Sequence, residues 1–121
     1  MSMPVQFNLH DQVVVVTGGA QGIGAACAER LSQDGAAIAL WDVDDARGQA
    51  LAASLSSQGR RAHYVHCNVA IKAEVDAAIA DTLKAFGRIT GLVSNAGIFK
   101  AADFLDITEA DWDAVIDVNL K

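Results

Sequence analysis

The sequence predicts an α/β fold: a doubly wound parallel sheet, truncated after its fourth strand and the start of the following helix. Three observations predict it. Short β-branched apolar runs alternate with longer Ala- and Leu-rich stretches whose apolar residues recur at helical spacing. The runs are nearly continuous rather than alternating, as in parallel strands covered on both faces. A glycine follows each helical stretch, where a helix C-terminus takes up positive φ.

Taken in order, Val13 to Val16 is the first strand and Gly22 to Gln33 the first helix, with Gly35 behind it. Ala36 to Trp41 is the second strand, and Asp45 to Ser57 the second helix, followed by Gly59. His63 to Val65 and Lys72 to Phe86 repeat the unit, with Gly87 after them. In that third helix Ala73, Ala77 and Ala80, with Val75, Ile79 and Leu83 close by, give the helical spacing. Ile89 to Val93 is the fourth strand, and right-handed crossovers then order the sheet 3-2-1-4. Beyond it a polar connection leads to Ile107-Thr108-Glu109-Ala110-Asp111, a staple residue, an N-cap and an acidic first turn. The stripe of this last helix is Trp112, Val115, Ile116 and Asn119, so an amide occupies its core-facing side shortly before Lys121.

With 121 residues, 52% of them hydrophobic and 20% charged, the chain is long enough for one core, and residues 1–121 are expected to form a single, incomplete domain. No stretch reaches the roughly 18 uninterrupted apolar residues of a membrane span. Met1 to His10 lacks the basic start and apolar centre of a secretion signal, so a cytoplasmic location is expected. A net charge of −6, with only nine scattered Lys and Arg, excludes nucleic acid or an anionic membrane as partner. Cys27 and Cys67 lie in apolar segments and are expected to be small buried thiols. His63, His66 and Cys67 alternate between the faces of a strand and suit neither a catalytic triad nor zinc, so no metal site is expected.

The stretch Thr17-Gly18-Gly19-Ala20-Gln21-Gly22-Ile23-Gly24 turns a buried strand into a helix. Such a turn leaves the first helical amides unpaired and concentrates partial positive charge there, which suits a phosphate. Gly18 permits the tight turn, Gly22 a close pass of a pyrophosphate, and Gly24 contact between helix and sheet, while Ala25, Ala26 and Ala28 keep the helix thin. Ala25 stands where an ATP-hydrolysing P-loop needs lysine, which leaves a dinucleotide. Asp42 ends the second strand 18 residues after Gly24, near the roughly 20 expected of a carboxylate that accepts from an adenosine ribose. That carboxylate repels a 2′-phosphate, and Gln21 rather than Arg or Lys occupies the loop, so NAD is expected over NADP. Ser94-Asn95-Ala96-Gly97 ends the fourth strand at the switch point of the sheet, where small residues leave room for a ring. Asn95 there either braces neighbouring backbone or forms an ordinary Asx turn.

Together the glycine stretch, Asp42, Asn95-Ala96-Gly97 and Asn119 within Asp117-Val118-Asn119-Leu120-Lys121 resemble the short-chain dehydrogenase/reductase family, from Phe7 onward. The resemblance implies the N-terminal cofactor-binding half of a Rossmann-like domain, which uses NAD(P) for hydride transfer to or from an alcohol or carbonyl substrate. It implies that Gly18, Gly22, Ile23 and Gly24 surround the pyrophosphate, Asp42 the adenosine ribose, and Asn95, Ala96 and Gly97 the central part of the cofactor. Asn68, followed by Val69, stands where the family usually has Asp to meet the adenine amino group; an amide oxygen still accepts, with less charge assistance. Asn119 resembles the family's catalytic helix asparagine, which anchors a water in the proton relay.

The family's Tyr-x-x-x-Lys and its preceding Ser are missing. Tyr64 is the one tyrosine, and Asn68 stands four residues after it. The chemistry needs a phenol whose pKa a nearby ammonium lowers, so the chain alone is expected to bind NAD weakly and to be catalytically inactive. It is expected to be part of a full-length enzyme, or else a non-catalytic nucleotide-binding fragment or interaction module. A methyltransferase using S-adenosylmethionine shares the glycine turn and acidic strand end, but Asn95-Ala96-Gly97 and Asn119 argue against it. The unpaired edge of the fourth strand predicts a homo-oligomer. The acidic stretch from Asp103 to Asp117 reads as a solvated helix face.

Overall fold

The computed structural model describes residues 8–94. Seven elements follow one another: β1 (Val13–Thr17), α1 (Gly22–Gln33), β2 (Ala37–Asp42), α2 (Asp45–Ser57), β3 (Ala62–His66), α3 (Lys72–Phe86) and β4 (Gly91–Ser94). All strand pairs are parallel, in the order β3-β2-β1-β4. The expected order and the three helix ranges are those observed. Strand ends moved by one or two residues: hydrogen bonding to neighbours carries β1 on to Thr17 and β2 on to Asp42, while Ile89 and Thr90 precede β4.

β1 and β2 are buried along their whole length because they lie in the middle of the sheet, with helices on both sides. Side chains alternate, so each strand supplies both faces. Val14, Val16, Ile38 and Leu40 join Ala28 of α1 in one core layer. Val15, Ala39 and Trp41 join Val75, Ala78 and Ile79 of α3 in the other. That double duty is why these runs are continuously apolar in the sequence.

Polar groups inside this core are paired. The Trp41 indole N–H donates to Thr82 Oγ1 at 3.0 Å, and the Thr82 hydroxyl donates to the Ala78 carbonyl at 2.8 Å. Leaving such a buried donor unpaired costs about 1–3 kcal/mol, so Thr82 fixes the height of α3 against β2. Gly35, Gly59 and Gly87 have φ of 104°, 80° and 82°, the left-handed backbone expected behind each helix. Of the two cysteines, Cys67 is buried, and burial pushes its thiol up to about 12. Cys27, expected to be buried, is only half-buried, because the buried side of α1 is the one carrying Gly24, Ala28 and Ser32. No helix among the described residues is long and apolar enough to cross a membrane.

Candidate functional site

The C-terminal ends of β1, β2 and β3 and the starts of α1, α2 and α3 meet along one edge of the sheet. Thr17 closes β1 fully buried, its hydroxyl donating to the Val93 carbonyl at 3.4 Å. Gly18 turns with φ 64°, and its amide donates to the Trp41 carbonyl at 2.8 Å. A Cβ at Gly19 would stand 2.9 Å from both Leu40 Cδ2 and the Val16 carbonyl, so this second glycine lets the bend lie flat on the sheet. The sequence reading gave Gly19 no role; the consecutive glycines were the signal. Gly22 turns with φ 60°, and a Cβ there would meet nothing within 4 Å. Gly24 is a buried residue of the first turn of α1, where the lack of a side chain lets the helix approach the sheet, whereas Ile23 is 73% exposed.

α1 opens from Gln21 in extended backbone with no side-chain cap, and its first turn holds no acidic residue. Its leading amides are therefore left to water or a ligand. Open ground at Gly22 leads to them. Among the described residues no atom comes within 4 Å of the place a Cβ at Gly22 would take.

Asp42 lies opposite and is 8% exposed, so it is no solvated strand end. Its Oδ2 accepts from the Ala20 amide at 3.0 Å, and its Oδ1 from the Val43 and Asp44 amides at 2.7 and 3.1 Å. The carboxylate thereby fastens the glycine bend to the end of β2. Three of its roughly four acceptor positions are engaged, leaving room for a further donor from outside.

Asn68 and Val69 behave differently from Asp42. The Asn68 amide oxygen accepts from its own Ala70 N–H at 3.0 Å, and its backbone N–H donates to Glu74 Oε1 at 2.9 Å. Val69 packs in the core on the α3 side, so its side chain is spent on packing. Asn95, Ala96, Gly97 and Asn119, with the helix expected from Thr108, lie outside the described residues.

Two features of the edge escaped the sequence reading. Val43 and Ile71 are 56% and 43% exposed, and with Ile23 they form the exposed large apolar side chains of the described residues. All three stand at strand ends or helix starts around the same edge. A water-facing apolar trio beside an uncapped helix suits a ring system. The second is a polar chain across β3. The Tyr64 hydroxyl lies 2.5 Å from Asp45 Oδ1 and 2.8 Å from the Asp42 carbonyl, and His66 Nδ1 lies 2.7 Å from the same Asp45 oxygen. His66 Nε2 also stands 3.8 Å from Glu74.

Burial first, then the hydrogen bond to Asp45, raises the Tyr64 phenol well above its ordinary range. A proton-exchanging tyrosine needs the opposite shift. The hydrogen bonds from Tyr64 and then His66 hold Asp45 below the usual carboxylate value, and Asp45 in turn raises His66. These groups tie β3 to the starts of α2 and α3.

A parallel sheet in this order, with a glycine bend running into an uncapped helix and a carboxylate ending the next strand, defines a Rossmann-type domain. Residues 12–121 match the family model for short chain dehydrogenase. The chain is 38% identical over 113 residues to (2S)-[(R)-hydroxy(phenyl)methyl]succinyl-CoA dehydrogenase subunit BbsD of Thauera aromatica, covering 93% of this chain and 46% of that one. It is 38% identical over 121 residues to the D-threitol dehydrogenase of Mycolicibacterium smegmatis, covering 100% of this chain and 46% of the relative. The crystal structure of a dehydrogenase/reductase from Sinorhizobium meliloti superposes with a TM-score of 0.71 at 38% identity, over 89% of this chain and 43% of that one. The chain belongs to the short-chain dehydrogenase family of oxidoreductases. It spans about half the length of the curated relatives it matches.

Proposed function

We propose that this chain is the dinucleotide-binding part of an NAD-dependent short-chain dehydrogenase or reductase that acts on a small alcohol or carbonyl compound. The observation that carries the reading is the start of α1, which has neither cap nor acid and opens at Gly22 onto free space beside the Asp42 carboxylate. In this reading the amides of Gly22, Ile23 and Gly24 hold the pyrophosphate. Asp42 accepts from the adenosine ribose with its remaining acceptor position. Val43 and Ile71 shield the adenine, and Ile23 excludes water from the phosphates. Asn68 offers the adenine amino group its second lone pair, the first being held by Ala70.

The nicotinamide of such a cofactor supplies a hydride acceptor or donor when bound. What the described residues contribute is binding and orientation. The Asp42 carboxylate at the end of β2 would repel a 2′-phosphate on the ribose it is read as holding, which favours NAD over NADP. The alcohol substrate class is supported by the family and by D-threitol, the polyol named in one relative. Asn95, Ala96 and Gly97 beside the cofactor, Asn119 in the proton relay, catalytic silence of this stretch alone, a cytoplasmic location and self-association belong to the same proposal.

Titration of the chain with NAD by calorimetry tests it. Weak saturable binding is expected for the wild type. Gly22→Asp places a carboxylate in the open ground and is expected to weaken NAD binding at least about a hundredfold, since like charges in contact cost several kcal/mol. Nothing crowds that position, but its φ of 60° is left-handed backbone, so the variant is expected to lose about 1–2 kcal/mol of stability while keeping the circular dichroism of the fold. Equal binding by wild type and variant, or no binding by the wild type, would overturn the reading.

A further inference from the structure

Gln21 occupies the loop position where a basic residue would welcome a 2′-phosphate, but the space is not without a cation. Arg47 reaches into it from the first turn of α2, its Nη1 donating to Gln21 Oε1. The other end of the guanidinium is held as well, with Nε 3.5 Å from Asp44 Oδ2. Asp44 is also the N-cap of α2, its Oδ1 accepting from the Arg47 amide at 3.1 Å. One residue from Gln21, the Ala20 amide is bonded to Asp42, so the guanidinium is tied to the same bend as the carboxylate read above as the ribose ligand.

The other described cations lie elsewhere: Arg30 pairs with Asp34 at the end of α1, and Lys84 stands in the last turn of α3. Arg61 donates to the His10 and Gly35 carbonyls and Arg88 to the Asp11 carbonyl, all at the opposite end of the strands. Arg60 reaches Glu29 and Ser32 of α1, and Lys72 is paired with Asp76. Arg47 stands beside Gln21 at the glycine bend and is 62% exposed, so it is the cation placed to answer a phosphate on the adenosine ribose once released.

We propose that Asp44 sets this protein's selectivity against 2′-phosphorylated dinucleotides by holding Arg47 neutralised against Gln21, so that Asp42 is not the sole determinant. The proposal rests on the dinucleotide reading of the glycine bend and adds to it a residue outside that bend. It separates two carboxylates that a charge count treats alike. Removing Asp42 unfastens the bend and harms both cofactors; removing the charge of Asp44 frees an arginine and helps only one.

The test is Asp44→Ser, which keeps a competent N-cap while deleting the charge. Binding of NAD and NADP to the full chain is measured by calorimetry. NADP affinity is expected to rise about tenfold with NAD affinity within about twofold, as for a newly available charge-assisted phosphate contact. Adding Arg47→Gln to Asp44→Ser should abolish the gain. Should Asp44→Ser fold poorly, Asp44→Asn carries the same expectation. An unchanged NADP to NAD ratio in the folded variant, or a gain that survives Arg47→Gln, overturns the assignment while leaving the dinucleotide site standing. Failure of the wild type to bind either dinucleotide overturns both.

Discussion

Two helices start side by side at the same edge of the sheet, and they start in opposite ways. α2 satisfies itself: Asp44 caps it, Asp45 sits in its first turn, and Tyr64 and His66 hold Asp45 from β3. α1 has no cap and no acid, and its leading amides look onto the open side of Gly22. A buried or crowded helix start must find internal partners, whereas one reserved for an anion must be left without them. In the proposed reading this difference makes α1 the binding end, while α2 is closed by its own cap beside Asp42.

The largest effect on this contrast is expected from Asp42→Ala, which strips three amides of their acceptor at once. A loss of about 1–3 kcal/mol in stability is expected, with binding of NAD and NADP falling together, measured by urea unfolding and calorimetry. A pure ribose contact would instead lower NAD affinity and leave the unfolding midpoint in place.

Exchanging the two styles of helix start gives a smaller effect of opposite sign. Gln21 has φ −155° and ψ 167°, backbone that a capping residue adopts. Gln21→Asp is expected to stabilise the chain by about 0.5–1 kcal/mol while weakening NAD binding, because it gives α1 the internal partner that α2 has. A midpoint that does not rise would show that α1 is already satisfied by other means.

The smallest effect is a dependence on pH. Asp45 raises His66 above its ordinary 6.5, so the folded state holds that proton more tightly than the unfolded one. The stabilisation is complete below pH 6.5 and is lost as the pH climbs through the raised value. Asp45 is lowered from 3.8, so its contribution is present above that pH and is lost as the pH falls through the lowered value. Unfolding midpoints should therefore decline as the pH rises above 6.5 in the wild type and lie flatter in His66→Gln. Equal slopes would remove His66 from the brace around α2.

Much of this architecture was legible beforehand because its signals are local. Val13 to Val16 could only be covered on both faces, Gly35, Gly59 and Gly87 mark left-handed backbone, and the Ala-rich stretches carry a helical period. The glycine bend and Asp42 were legible for the same reason, being fixed by spacing along one strand-turn-helix-strand unit. Gly48 shows the limit. It sits within α2 with nothing in its neighbours to explain it, yet a Cβ there would come 2.1 Å from the Tyr64 ring. Nor could spacing show that Asn68 Oδ1 is taken by Ala70, or that Val69 turns inward.

The order of residues by itself determined the strands, the helices, their sequence around the sheet and the bend at which a phosphate would be held, since each depends on neighbours within a few turns of chain. Only the tertiary structure decided that Asp42 reaches back across 22 residues to fasten Ala20, that Arg47 crosses 26 residues to meet Gln21, and that Tyr64 and His66 converge on Asp45. Hydrogen bonds and ion pairs act over a few ångströms whatever the separation along the chain. Which polar groups come that close is settled by the packing of a parallel sheet, which gathers the ends of its strands and the starts of its helices at one edge.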